Sequence, residues 1–131
     1  MCFVLLVEDN STFRKSLKEM LTLRFPGLQI QEASDGEEAL QKLEETYPDL
    51  IFMDIRLPGK NGLEVTKLIK KANADVDVVI LTSYDIPEYR AAALSSGASH
   101  FFTKGSAGSD EIARCVRSIF QQRGKELACL H

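Results

Sequence analysis

Several features that would assign this chain to a specialised class are missing from its sequence. The 131 residues carry 16 Lys and Arg against 19 Asp and Glu, a net charge of -3. The chain therefore lacks the surplus of cations that non-specific nucleic-acid binding requires. Its three cysteines, Cys2, Cys115 and Cys129, lie far apart and show no CxxC spacing. This odd, scattered set argues against a disulfide framework and against a zinc site, and it favours reduced thiols in a cytoplasmic protein.

Long apolar segments and phosphate-binding loops are also lacking. The apolar opening over residues 1–7 is short, has no positive flank and runs into Glu8 and Asp9, so it predicts neither a signal peptide nor a membrane span. Neither GxxxxGK[ST] nor GxGxxG occurs, so nucleotide binding has no local support. What remains is 44% hydrophobic and 27% charged residues, a composition typical of one compact globular domain of this length.

Short apolar runs alternate along the chain with longer amphipathic stretches. The runs are typical of strands that are covered on both faces of a sheet, and they cover residues 3–7, 28–33, 50–53, 76–81 and 100–103. Between them, apolar side chains recur at helical spacing. Roughly five strands alternating with five helices predict βαβ units and a parallel sheet. Right-handed crossovers then favour a flavodoxin-like, doubly wound α/β sandwich, in which we expect the strand order 2-1-3-4-5.

Helix starts are predicted where a capping residue precedes Glu by three positions. Three pairs show this spacing, namely Asp35 with Glu38, Asn61 with Glu64 and Asp85 with Glu88. Pro87 is suited to the first turn of the fourth helix, where a missing N–H costs nothing. The periodic pattern stops after Gln121, so we expect one domain over residues 1–121 and a tail or linker over residues 122–131.

Polar side chains follow four of the predicted strands. Ligands of a doubly wound sheet bind beyond the carboxyl ends of its strands, and the residues at those positions are Glu8, Asp9, Asp54, Thr82, Ser83 and Lys104. Three carboxylates brought to one edge would repel one another unless a cation lies among them. Mg²⁺ suits such hard oxygen ligands and also neutralises an incoming phosphoryl group.

The same set of residues predicts phosphoryl chemistry. Asp54 is the candidate nucleophile, because a carboxylate can form an aspartyl-phosphate. Thr82 can donate a hydrogen bond to a phosphate, and Lys104 can pair with it as a point charge. The ordinary alternative for any single residue is a solvated charge or hydroxyl at a strand end. The whole set at one edge is much harder to attribute to chance.

Five segments together carry a family resemblance. They are Leu6-Val7-Glu8-Asp9-Asn10, Met53-Asp54-Ile55-Arg56-Leu57-Pro58-Gly59, Asn61-Gly62, Leu81-Thr82-Ser83, and Gly97-Ala98 with Phe101 and Lys104. In this order, over residues 3–121, they resemble the CheY-like receiver domains of bacterial two-component response regulators. The Lys104-Gly105-Ser106 run is most similar to receivers of the LuxR/NarL class, which carry DNA-binding output domains and regulate transcription. No such output domain is present in these residues, so we expect a stand-alone or an excised receiver.

The resemblance implies a role for each site residue. It implies that Asp54 accepts a phosphoryl group from a sensor histidine kinase or a phosphotransfer protein. It implies that Thr82 and Lys104 contact that group. The implied Mg²⁺ ligands are Asp9, Asp54 and the backbone carbonyl of Arg56, with Glu8 acting mostly through water. Pro58, Gly59 and Gly62 are implied to shape the loop after Asp54.

The resemblance also predicts a conformational switch. The resemblance implies that Thr82 and Phe101 change conformation together and alter the face formed by the fourth helix, fifth strand and fifth helix, over about residues 86–121. A partner or a second receiver would bind there.

Many receivers have Pro after the position of Lys104, whereas Gly105 stands here. The course of that loop is therefore not fixed by the resemblance.

Two other functions use a similar arrangement. A Mg²⁺-dependent phosphatase of the haloacid dehalogenase type also has a nucleophilic Asp at a strand end, but it needs a second Asp two residues later, where Arg56 stands here. A pseudo-receiver that acts only as an interaction module usually lacks an acidic or Lys position, and none is lost in this sequence. We therefore expect a phosphorylation switch that catalyses only its own phosphorylation and dephosphorylation.

Overall fold

The computed structural model describes residues 2–124, in which five strands alternate with five helices. The strands are β1 (Cys2–Val7), β2 (Leu28–Ala33), β3 (Leu50–Met53), β4 (Asp77–Thr82) and β5 (His100–Thr103). The helices are α1 (Ser11–Arg24), α2 (Gly36–Glu45), α3 (Gly62–Ala72), α4 (Pro87–Ser95) and α5 (Ser109–Gln122). The predicted strands are confirmed with small shifts, because β1 begins at Cys2 and β4 runs one residue later than expected.

The strands form one parallel sheet in the order β2-β1-β3-β4-β5. This order confirms the predicted doubly wound architecture. Apolar side chains on the two faces of the sheet form two separate clusters, one packed with α1 and α5 and the other with α2, α3 and α4. Burial on both faces explains why β1, β3 and β4 read as nearly continuous apolar runs. The order also places the carboxyl ends of β1, β3, β4 and β5 side by side.

Side-chain caps begin the first three helices, and a proline begins the fourth. Asn10 caps α1, Asp35 caps α2 and Asn61 caps α3, each through a side-chain oxygen that accepts a backbone N–H. The expected cap at Asp85 is wrong, because Ile86 occupies the N-cap position and makes no side-chain hydrogen bond. Asp85 instead forms an ion pair with Arg90 at 3.2 Å. Pro87 opens α4 as predicted.

The cysteines and the chain end give a mixed outcome. Cys115 is a buried free thiol, but Cys2 is engaged in a disulfide, so the expectation of three reduced thiols is wrong. Cys129 and most of the expected tail lie outside the described residues. The helix α5 reaches Gln122, one residue beyond the expected domain end. Among residues 2–124, the helices are all too short or too polar to cross a bilayer.

An arginine fixes the end of α5 to the amino-terminal edge of the sheet. The Arg123 guanidinium lies 3.4 Å from an Asp49 carboxylate oxygen and 3.3 Å from one of Asp77. It also donates to the Asp75 carbonyl at 2.6 Å. Asp49 is only 5% exposed, so solvent screens the attraction between the two charges less than it does in a surface pair.

Candidate functional site

The sheet brings the predicted site residues to one edge. The backbone N–H of Asp54 donates to the Val7 carbonyl at 3.1 Å, and that of Glu8 donates to the Ala33 carbonyl at 3.0 Å. The backbone N–H of Lys104 donates to the Thr82 carbonyl at 2.7 Å. These ladder bonds continue the sheet by one residue beyond its strands. They therefore fix the backbone of the site residues as firmly as that of the core.

Three carboxylates form the centre of the site. Glu8, Asp9 and Asp54 each place a carboxylate oxygen within 4.8 Å of the others. Glu8 is 4% exposed and Asp54 6% exposed, whereas Asp9 is exposed to solvent. The cluster is thus a shallow acidic pocket with one open side. Its donor set consists of hard oxygens and fits the ligand preference of Mg²⁺.

Lys104 is the cation that the structure places beside these carboxylates. Its ammonium lies 2.5 Å from Glu8 Oε1 and 3.2 Å from Asp54 Oδ2. The Lys104–Gly105 peptide is trans, as are all other peptides in the described range. With glycine in place of the usual proline, Lys104 still reaches the acidic pocket.

Burial and neighbouring charges together set the electrostatics of the pocket. Burial raises the pKa of Glu8 from 4.5 to about 7, despite opposing hydrogen bonds from Lys104 and from the Asn10 backbone. Burial alone would lower the pKa of Lys104, but Glu8 and Asp54 raise it above its usual value. Burial is thus the main cause of the raised Glu8 pKa, repulsion from Asp54 is a smaller one, and the Lys104 ammonium offsets them only in part. A divalent cation among the carboxylates would offset their repulsion further.

Thr82 supplies a second indication that the site accommodates a ligand. The residue is fully buried at the end of β4. Its Oγ1 has no hydrogen-bond partner among the described residues. A buried hydroxyl without a partner costs free energy and is uncommon in a folded protein. A phosphoryl oxygen is a chemically suitable acceptor for it.

The loop after Asp54 packs directly against the peptide of Asp54 itself. A Cβ added to Gly62 would lie 1.9 Å from the Asp54 carbonyl oxygen, so only glycine fits there. The Gly62 N–H donates to the Ile55 carbonyl at 2.8 Å. Gly59 has a φ of +76°, a conformation that glycine adopts without strain. The start of α3 is thereby held against the site.

Aromatic rings and a guanidinium lie at the rim of the site. The Arg56 guanidinium stacks 4.4 Å from the centre of the Tyr84 ring and donates to the Tyr89 hydroxyl at 3.3 Å. Tyr84 and Tyr89 also meet edge to face, with ring centres 6.4 Å apart. The resemblance did not predict this cluster, which connects the loop after β3 with α4.

Phe101, the expected switch residue, is packed inward. It is 8% exposed and belongs to the core cluster on the α2, α3 and α4 face. The Arg90 guanidinium of α4 lies 4.6 Å from the centre of its ring. Phe101 therefore contacts an element of the surface over residues 86–121 that was expected to change.

Two contacts of the site were not anticipated from the sequence. The Phe13 ring lies 4.4 Å from the Lys104 ammonium, and an Arg14 nitrogen donates to the Glu8 carbonyl at 2.6 Å. Phe13 was assigned only to the apolar stripe of the first helix. Its position four residues after Asp9, on the first turn of that helix, is the signal that could have placed it at the pocket.

The fold and this pocket define a class: doubly wound α/β proteins with an acidic, lysine-containing site at the carboxyl ends of the strands. Residues 4–117 match the family model described as the response regulator receiver domain. The chain belongs to this family.

Individual relatives and solved structures agree with the assignment. The chain is 36% identical to the response regulator GacA of Pseudomonas viridiflava over 118 residues, which are 89% of this chain and 54% of GacA. It is 35% identical over 116 residues to the transcriptional regulatory protein LnrK of Bacillus subtilis, covering 88% of this chain and 52% of LnrK. The chain thus spans about half the length of these relatives.

The structural comparisons include a complex of direct interest. The response regulator TrrA of Thermotoga maritima, solved in complex with Mg²⁺ and BeF, superposes with a TM-score of 0.81 at 36% identity. The alignment covers 91% of this chain and 99% of TrrA. A LuxR-family response regulator of Aurantimonas superposes with a TM-score of 0.85 at 29% identity, covering 93% of this chain and 86% of that one. This similarity gives partial support to the expected likeness to the LuxR class.

Proposed function

We propose that this receiver accepts a phosphoryl group on Asp54 in a Mg²⁺-dependent reaction, from a sensor histidine kinase or a phosphotransfer protein. The observation that carries the proposal is the pocket itself. Three carboxylates lie within 4.8 Å of one another, beside the Lys104 ammonium and the unpartnered Thr82 hydroxyl. The Mg²⁺–BeF complex of TrrA, at 36% identity, supports the same chemistry here.

Each residue has one task in this reaction. An oxygen of Asp54 attacks phosphorus, and the bond from phosphorus to the donor breaks as the new bond forms. Lys104 pairs with the phosphoryl oxygens, and Thr82 donates a hydrogen bond to one of them. Asp9, Asp54 and the Arg56 carbonyl hold the metal ion, with Glu8 acting mostly through water. The ion, when bound, supplies positive charge that offsets the charge of the phosphoryl group.

The test is direct phosphorylation of the protein. Incubation with acetyl phosphate and Mg²⁺ is expected to add the mass of one phosphoryl group, and chelation of the metal is expected to prevent it. An unchanged intact mass in the presence of Mg²⁺ would count against the proposal. Sustained hydrolysis of a generic phosphoester would favour the phosphatase alternative instead.

Removing one acidic ligand is expected to weaken the metal site. We predict that Asp9→Asn lowers Mg²⁺ affinity about tenfold or more, since the charge count of the ligands sets the affinity of such sites. In the wild type, saturating Mg²⁺ should stabilise the fold by about 1–3 kcal/mol, by mass action on the folded state. Thermal melts with and without Mg²⁺ measure both effects. A melting temperature indifferent to millimolar Mg²⁺ would contradict the metal site.

The lifetime of the phosphoryl group should depend on the side chains at the rim. Arg56 and Tyr84 are bulky, stack on each other at 4.4 Å and lie two residues after Asp54 and Thr82. We propose that they obstruct a water molecule that approaches phosphorus. We predict faster loss of the phosphoryl group when both are replaced by Ala, measured by intact mass over time. Arg117→Ala is a control that removes a cation–π contact outside the site, with the Phe25 ring. A slower or equal rate in the double variant would contradict the prediction.

Phosphorylation should also be felt at the surface formed by α4, β5 and α5. Thr82 turns toward the phosphoryl group, and Phe101 adjusts to the space beside it. This change matters only if a partner prefers one of the two states. We propose that the partner is a second receiver or a downstream protein, and that the native protein is cytoplasmic.

A substitution at Thr82 separates acceptance of the phosphoryl group from output. We predict that Thr82→Ala still takes up a phosphoryl group at Asp54 but loses most of the phosphorylation-dependent association. Sedimentation with and without beryllofluoride, in wild type and variant, measures the association. Thr103→Ala serves as the control, because Thr103 is also a buried hydroxyl residue at a strand end. An equally strong response in Thr82→Ala would exclude this coupling.

A further inference from the structure

The Lys104 ammonium has three N–H donors, and the carboxylates account for only part of its surroundings. Two donors are directed to acidic partners, Glu8 at 2.5 Å and Asp54 at 3.2 Å. The face of the Phe13 ring lies 4.4 Å from the same nitrogen. A lysine ammonium at this distance is attracted to the negative face of an aromatic ring. The Lys104 side chain is only 14% exposed, so solvent screens this attraction little.

Phe13 is held firmly in its place. Its backbone N–H donates to the capping side chain of Asn10 at 3.0 Å, which fixes the first turn of α1. Its partly buried ring packs against the core cluster on the α1 and α5 face. The ring is therefore part of a rigid element, and its position does not depend on the loop that carries Lys104.

The loop on the other side gives Lys104 less support. Lys104 is followed by Gly105, and a Cβ added to Gly105 would meet nothing within 4 Å. Glycine restricts the backbone least of all residues. The Lys104 backbone is held by its hydrogen bond to the Thr82 carbonyl at 2.7 Å, but that bond does not orient the long Lys104 side chain. The contacts that fix it are those made by its ammonium.

The contact with Phe13 differs from the two ion pairs of Lys104 because the ring carries no charge. A metal ion bound by Glu8 and Asp54 would compete with Lys104 for their oxygens, and phosphorylation would consume one oxygen of Asp54. Both ion pairs of Lys104 are thus weakened while the site is being loaded, before the ammonium pairs with the phosphoryl oxygens. The Phe13 ring is neither a ligand for Mg²⁺ nor a reacting group, so its attraction for the ammonium persists.

We propose that Phe13 is a positioning residue: its ring holds the Lys104 ammonium at the pocket when metal and phosphoryl group engage the carboxylates. This inference rests on the proposed function of the same site. It assigns to an apolar side chain of α1 the task of orienting the end of the Lys104 side chain.

The test compares Phe13→Leu, which keeps an apolar side chain but loses the aromatic face, with Phe13→Tyr, which keeps both. Small donors are used, so that contacts with a phosphodonor protein do not enter the comparison. We expect Phe13→Leu to lower beryllofluoride affinity and the rate of labelling by acetyl phosphate about 3- to 10-fold, as loss of a partly buried cation–π contact implies. Phe13→Tyr should restore both, and Mg²⁺ affinity should stay within about twofold of wild type.

A spectroscopic readout and a matched variant complete the test. Proton chemical shifts at the end of the Lys104 side chain should show the ring-current effect of Phe13 in wild type and Phe13→Tyr, and lose it in Phe13→Leu. Phe102→Leu is the control, since Phe102 is also partly buried against the same core cluster but stacks on His100. It should leave beryllofluoride affinity unchanged.

The outcomes separate the two proposals. Equal beryllofluoride affinity in wild type and Phe13→Leu would overturn the role of Phe13 while leaving the function of the site intact. An equal loss of affinity in Phe13→Leu and Phe13→Tyr would show that the residue acts only through packing, and would overturn it too. A wild-type protein that binds no beryllofluoride with Mg²⁺ would overturn the proposed function, and the positioning role with it.

Discussion

Replacing Asp54 with Asn is expected to reduce phosphoryl labelling by acetyl phosphate to background. Asn keeps the size of the side chain and one oxygen, so it can still accept the hydrogen bond from the Ile55 N–H, which is 2.8 Å long in the wild type. It lacks the carboxylate that we propose as the nucleophile. The fold should therefore persist while the reaction stops. Intact-mass measurement after incubation with acetyl phosphate and Mg²⁺ gives the answer.

The variant Asp85→Asn is the matched control. Asp85 follows β4 and is exposed, and its partner is Arg90. It should be labelled as fast as the wild type. Asp54→Asn also removes one of the crowded negative charges, so its thermal stability without metal should equal or exceed that of the wild type. Equal labelling of Asp54→Asn and wild type would mean that another residue is the acceptor.

Gly62→Ala is expected to give the largest loss of stability among single methyl additions in this chain. The added Cβ would lie 1.9 Å from the Asp54 carbonyl oxygen and 2.8 Å from its carbonyl carbon. The obstacle is backbone, so α3 or the peptide after β3 has to move. We expect a cost of about 3 kcal/mol or more, and a melting temperature lower by roughly 10 °C. The same displacement should weaken Mg²⁺ binding, because it moves the peptide that carries Asp54.

Gly105→Ala controls for the loss of glycine itself. A Cβ there has open space within 4 Å, and Gly105 is not among the described glycines with positive φ. Its melting temperature should stay equal or rise slightly, since alanine restricts the unfolded chain more than glycine does. The change in melting temperature should thus be large and negative for Gly62→Ala, and zero or slightly positive for Gly105→Ala. A stable Gly62→Ala protein would show that the contact with the Asp54 carbonyl is not a tight one.

The sequence predicted the sheet well because burial on both faces leaves a plain signal. Runs such as residues 50–53 are apolar throughout, and their order along the chain restricts the topology to few choices. The predicted limits of β4 were shifted by one residue because Val76 and Thr82 are both compatible with a strand end. Asp85 was misassigned as a cap because capping-box spacing also arises by chance. Pro87, which needs no N–H partner, already begins the helix.

The charged and hydroxyl residues of the pocket were predicted because they lie at strand ends, but the side chains that contact them were not predicted. Asp54 and Lys104 follow strands directly, so topology alone brings them together. The ring of Phe13 arrives from a helix, and its contact with Lys104 depends on the crossing of α1 over the sheet, which no local pattern encodes. The stacking of Arg56 on Tyr84 joins two loops whose paths are likewise set by tertiary packing.

The anchoring of Arg123 has a mechanical consequence. Asp49 precedes β3 and Asp77 begins β4, and both carboxylates pair with Arg123. At their other ends, the same two strands lead to Asp54 and Thr82. An extended, hydrogen-bonded strand cannot lengthen appreciably. These strands therefore cannot stretch to absorb a displacement at the pocket. Through Arg123, the carboxyl end of α5 is tied to the amino-terminal side of the same two strands whose other ends form the pocket.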